Sequence, residues 1–157
     1  MTSIKSRLRL GLPIFLAAMN LRAGINLISP LVPIIKSYFH LNNIEISILA
    51  GIPVLCFAGA ALLMGFINRL GSSERIIKWA LTTLFIGLIA RTFTGLPGLY
   101  VFSFVVGISI AVMNYEIPAW VKEHAASDTG FITGAYSTIM GLMGSLSIAI
   151  SVPLAHL

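Results

Sequence analysis

Five apolar stretches, each about as long as a bilayer is thick, constrain this sequence more than any motif in it. They run over Leu10–Ile35, Ile46–Ile67, Ile76–Thr94, Gly98–Ala119 and Gly130–Ala155. A helix crosses the hydrocarbon core with about 20 apolar residues. In that medium every backbone N–H and C=O must be satisfied within the protein, which leaves helices or closed barrels as the spanning structures. Continuous runs of this length read as helices rather than as the short alternating segments of a barrel. With 57% apolar and only 10% charged residues, the composition lies outside the range of soluble domains. Residues 1–157 therefore read as one all-α integral membrane unit of five transmembrane helices. No soluble domain, low-complexity tract or glycine-rich phosphate loop interrupts it.

The net charge of +5 would suggest a nucleic-acid surface in a soluble protein, but here the basic residues flank the spans, so no nucleic-acid partner is expected. Lys5, Arg7 and Arg9 precede the first span, Arg69, Arg75 and Lys78 flank the link from the second to the third, and Lys122 follows the fourth. Only Lys36 and Arg91 fall toward the opposite side. By the positive-inside rule the N-terminus is cytoplasmic, and the expected location is a bacterial inner membrane. Trp79 and Trp120 then fall at the inner interface and Tyr38 and Tyr100 at the outer one, where amphipathic rings are favoured. A basic start followed by an apolar run also fits a cleaved signal peptide, but no A-x-A site closes that run and it continues past Arg22.

Two spans are built from small residues. The second carries Gly51, Pro53, Ala58, Gly59, Ala60, Ala61 and Gly65, with Cys56 as an isolated small residue that has no disulfide or metal partner spacing. The fifth repeats Thr133, Ser137, Met140, Gly144, Ser147 and Ser151 at helical spacing, with Gly130, Gly134, Gly141 and Ser145 beside them. Such faces let helix backbones approach closely in a membrane; the same faces can line a water-filled cavity. Both readings fit different thirds of a long helix.

Arg22 stands in the middle of the first span, twelve residues after Leu10 and thirteen before Ile35. At a rise of ~1.5 Å per residue either interface is roughly 18 Å away, beyond the reach of a snorkelling side chain. A central Arg costs about 2.5–3.5 kcal/mol on insertion scales and so turns to a polar interior. Asn26 and Ser29, four and seven residues on, share its side of the helix, whereas Asn20 points nearly the opposite way. A planar guanidinium in a cavity suits a small anion or strongly dipolar solute. The alternatives are a structural ion pair and a gating role.

The second intramembrane charge is Glu116 in "AVMNYEIPAW". It can pair with Arg22 or close an interfacial network, or it can titrate and couple proton movement to solute movement. The segments "AMNLR" and "VMNYE", ending at Arg22 and Glu116, echo each other and place Asn114 beside Glu116 as Asn20 is beside Arg22.

The stretches "NLRAGINLISPLVPII", "ILAGIPVLCFAGAALL", "GISIAVMNYEIPAWVK" and "GFITGAYSTIMGLMGSLSIAISVPLA" resemble the N-terminal half of major facilitator superfamily transporters of the cyanate/2-nitroimidazole type. The resemblance covers nearly the whole chain. It implies helices 1–5 of that fold and a secondary transporter whose solute site involves Arg22. Its link between helices 2 and 3 normally reads G-x-x-x-D-R-x-G-R-R. Here "MGFINRLGSSER" keeps Arg69 and Gly71 but has Met64 for the glycine, Asn68 for the aspartate and Ser72–Ser73 for the basic pair.

The resulting expectation is transport of a cyanate-like small anion or small polar solute by a partial chain that needs helices 6–12 or another chain. The alternative is a non-transporting remnant or an assembly subunit of a membrane complex. An enzyme is not expected, because no paired carboxylates or metal-ligand cluster lie in the spans and His40, His124 and His156 fall at or outside their ends. No catalytic residue, metal or cofactor is assigned. The partners expected are membrane lipid and the solute.

Overall fold

The computed structural model describes residues 14–19, 21, 28–69, 71–126 and 129–155, and within these every side chain but those of Ile28, Ser29, Val152, Leu154 and Ala155. Residues 14–19 are helical. They are followed by α1 (Ile28–Phe39), α2 (Asn43–Ile67), α3 (Ser73–Phe93), α4 (Gly95–His124) and α5 (Thr129–Ala155). There is no strand among the described residues. Four helices are long and apolar enough to cross a membrane: Asn43–Ile67, Ser73–Phe93, Gly95–His124 and Thr129–Ser151. Of the span expected over residues 10–35, residues 10–13, 20 and 22–27 lie outside the described residues.

The sequence places the end of the first helix near Pro30 and Pro33 and a loop over "KSYFHLNNIE"; instead α1 continues through Pro33 to Phe39. Pro30 lies in the first turn of α1, where an N–H would have no intrahelical acceptor in any case. The loop shrinks to residues 40–42, with His40 at φ 53. Asn42 then starts α2: its side chain accepts from the Ile44 and Glu45 amides, both at 2.9 Å, and Glu45 accepts from the Asn42 amide at 2.7 Å. This reciprocal capping box satisfies otherwise orphaned donors.

The turn from α3 to α4 is a single residue, Thr94, whose hydroxyl donates to the Ala90 carbonyl at 2.7 Å. Gly95 follows at φ 64, a conformation that side chains disfavour. Gly98 is equally constrained, since a Cβ there would collide with the Thr94 side chain.

The core sits around α4. Half of its most apolar stretch is buried by protein, against 22–28% for the other three spans, so α4 is the central helix and the others present most of their surface to lipid. Gly87 lets α3 approach α4, with Val106 at 3.0 Å from where a Cβ would stand. On the other side Gly107 meets Cys56 of α2, whose thiol donates to the Phe104 carbonyl at 3.5 Å. Large apolar side chains such as Leu62 (86% exposed) and Phe93 (83%) point outward. That arrangement is stable only in an apolar medium. The chain is a multi-pass membrane protein.

Candidate functional site

Among the described residues Glu116 is the polar group that the fold buries most completely, at 1% exposure. It lies two turns inside the end of α4, on the side that carries Val112, Met113 and Ile117, all of them core residues. Its Oε1 is buried with no hydrogen-bond partner among the described residues. A carboxylate in such surroundings costs several kcal/mol unless a cation or proton meets it.

The same core contains Ala17, Ala18 and Leu21, together with Ile132, Tyr136 and Met140 of α5. Ala18 and Leu21 are fully buried. The helical segment leading to position 22 is thereby packed with the part of α4 that holds Glu116. Asn20, Arg22 and Asn26 lie outside the described residues, as does the side chain of Ser29.

Asn114 is half-buried and spends its amide on its own helix, donating to the Ile110 carbonyl at 2.9 Å. Pro118, two residues past Glu116, has no N–H for the Asn114 carbonyl and leaves it open to another donor. Polar backbone thus gathers around the middle of this helix, near the buried acid.

α5 divides the small residues that the sequence groups on one broad face. Ile132, Tyr136, Met140, Gly144, Ser147 and Ser151 are buried. Thr133 is half-buried, while Gly134, Ser137 and Gly141 are exposed. A Cβ at Gly130, Gly134 or Gly141 would meet nothing within 4 Å. The buried hydroxyls are satisfied locally, Ser147 by the Met143 carbonyl at 2.6 Å and Ser151 by the Ile148 carbonyl at 2.8 Å. They have no hydrogen left to donate to a solute without breaking those bonds.

Two features were not read from the sequence. Trp120 and His124 stack, with ring centroids 4.5 Å apart and planes at 13°; their i, i+4 spacing was the available signal. Glu74 and Lys78 share the same spacing on α3, and no ion pair joins them. Among the described residues no group of three or more metal-ligating side chains occurs.

The fold defines a helical membrane protein with one buried acid among the described residues, and comparison with known proteins places transporters beside it. The chain is 30% identical over 151 residues to the 2-nitroimidazole transporter of Escherichia coli (strain K12), covering 96% of this chain and 38% of that protein. It is 28% identical over 142 residues to the uncharacterized transporter YycB of Bacillus subtilis (strain 168), covering 90% of this chain and 35% of that protein. The chain therefore spans little more than a third of the length of these curated relatives. No protein-family model matches it, and no solved structure does.

Proposed function

We propose that the chain forms the N-terminal helices of a secondary transporter of the major facilitator type, carrying a small anion or small polar solute of the cyanate kind. What carries this reading is the alignment of 90–96% of the chain with proteins named as transporters. The buried Glu116 supports it independently. Of the five acidic residues, Glu45 and Glu74 lie in first turns of helices and Glu123 and Asp128 follow the fourth span. Glu116 is thus the acid available to a cation inside the bundle.

In this reading Arg22, with Asn26 and Ser29, holds the solute near the bilayer midplane. Glu116 either carries the coupling proton or balances the Arg22 charge between transport steps. Asn20, Asn114, Thr133 and Ser137 line or pack the surrounding helices, with Gly134 and Gly141 on an open face. That face meets helices 6–12 of a longer chain or helices of another chain, since a facilitator site lies between two halves. The protein resides in a bacterial inner membrane with its N-terminus in the cytoplasm, as the Lys and Arg distribution suggests.

The unoccupied α5 face equally fits an assembly subunit that transports nothing, and uptake separates the two. Proteoliposomes bearing the protein together with its completing helices are expected to take up cyanate or nitrate saturably, with the signal lost in Arg22→Ala. Uptake indistinguishable from empty liposomes for every small anion and for 2-nitroimidazole would favour the assembly subunit.

A further inference from the structure

At the end of the bundle that holds the α3–α4 turn, most polar groups are paired with one another. Lys36 donates to the Asn43 side chain at 2.6 Å, and Tyr100 to the Glu45 carbonyl at 3.0 Å. The Glu45 carboxylate accepts from the Asn42 amide, while Thr92 and Thr94 donate to carbonyls of their own helix. Two groups are left over. Arg91 is half-buried, and its Nη1 is fully buried with no hydrogen-bond partner. Ser103 is 3% exposed, and its hydroxyl has no partner either. The other buried serines among the described residues, Ser109, Ser147 and Ser151, all donate to a carbonyl of their own helix.

The two unspent groups lie at one level of the seam between α3 and α4. Arg91 continues the buried row Ala80, Leu84 and Gly87 of α3 by one turn. Val106 of α4 stands against Gly87, and Ser103, three residues before Val106, shares its side of that helix. The helices are antiparallel about Thr94, so the ~6 Å from Gly87 to Arg91 and the ~4.5 Å from Val106 to Ser103 run in the same direction. A buried cation is strongly unfavourable without a counter-charge. Both groups can donate, and Glu45, the acid at this end, already accepts from Asn42. We propose that Arg91 and Ser103 hold one small monovalent inorganic anion, of the size of chloride or nitrate. One positive charge is on offer, because Lys36 is engaged with Asn43, so a second negative charge on the ligand would stay uncompensated. This site is separate from the proposed solute site at Arg22 and stands or falls without it.

Thermal unfolding of the full chain in neutral detergent tests it, with sodium gluconate replaced stepwise by chloride or nitrate so that screening stays constant. The unfolding temperature is expected to rise saturably with either small anion. In Arg91→Gln the chloride-dependent rise should be lost. In gluconate that variant should unfold at or above the temperature of the unsubstituted chain, because the uncompensated charge is gone. The order of the two proteins therefore reverses between gluconate and chloride. Ser103→Ala, a small change, should raise the half-saturating chloride concentration several-fold, and Arg22→Gln should keep the response. Four results would overturn the proposal: no saturable response, a lower unfolding temperature for Arg91→Gln in both media with the response intact, an unchanged half-saturation in Ser103→Ala, or a response lost in Arg22→Gln and kept in Arg91→Gln. Stabilisation by added phosphatidylglycerol but by no inorganic anion would equally overturn it, since a lipid phosphate would then be what meets Arg91.

Discussion

Gly107 of α4 lies so close to Cys56 of α2 that a methyl group on the glycine would stand 2.8 Å from the thiol sulfur. Cys56 is itself 1% exposed and has Pro53 of its own helix alongside the same contact. Gly107→Ala should therefore force the two helices apart, at a cost of about 1–3 kcal/mol for overpacking. Cys56→Ala in the same chain should restore most of that loss by removing the sulfur. The cycle can be read from thermal unfolding in detergent; additive losses in the double variant would mean that the two residues do not meet.

The glycines of α5 make the opposite forecast. Nothing stands within 4 Å of a Cβ at Gly134 or Gly141, and Ala gains up to about 1 kcal/mol over Gly in a helix interior. Gly134→Ala and Gly141→Ala are expected to leave the unfolding temperature of the 157-residue chain unchanged or slightly raised. A drop in either would place a neighbour against that face within the chain itself. In an assembled transporter the same substitutions are expected to reduce uptake, because the face then has a partner.

Helix 2 to helix 5 were legible because a long apolar run has few ways to exist in a bilayer. What was not legible follows from the same physics. Hydropathy marks the part of a helix inside the hydrocarbon, so it stops at Ala119 while α4 continues through the polar turn to His124. It also gives no signal for which side is buried, since lipid is as apolar as a core. On α5 the buried row therefore begins with Ile132 and Tyr136, whereas the small-residue pattern in the sequence points to Thr133, Ser137 and the glycines. The start of α2 was written in Asn42-Asn43-Ile44-Glu45 as a capping box, a local signal hidden inside a segment that reads as polar loop. For the candidate site, Glu116 stood out as a charge among apolar neighbours, but that its Oε1 is buried without a hydrogen-bond partner among the described residues required the fold.

The orientation has a direct check. Cysteines placed at Ser6, Ser72 or Ser127 in a Cys56→Ser background are expected to resist an impermeant thiol reagent in intact cells, whereas one at Asn42 is expected to react. The forecast rests on the Lys and Arg distribution. Labelling of Ser72→Cys from outside would reverse the topology.

Glu116→Gln separates coupling from charge balance. The amide occupies the same volume and needs no counter-cation, so a coupling role predicts normal abundance with loss of proton-driven accumulation and retention of solute exchange. Removing one member of a buried ion pair instead costs about 3–5 kcal/mol and would appear as low abundance, with accumulation by the surviving protein intact. Quantitative blotting beside uptake with and without a pH gradient distinguishes the two.

A solute-binding role for Arg22 makes a different forecast from a structural one. The guanidinium offers two parallel N–H donors to an oxyanion, and lysine offers a point charge of the same sign. If Arg22 grips the solute, Arg22→Lys should keep the protein folded, since a positive charge is preserved at that position, yet weaken solute affinity by roughly tenfold or more, the loss of about 1.4 kcal/mol or more from one charge-assisted bond. Arg22→Ala should abolish uptake and also lower abundance, because Glu116 would then be buried without a counter-charge. The informative variant is Arg22→Ala/Glu116→Gln, in which both charges of the proposed pair are removed. Recovery of abundance without recovery of uptake is the outcome expected of a solute-binding arginine. Recovery of both would leave the arginine with a structural role alone.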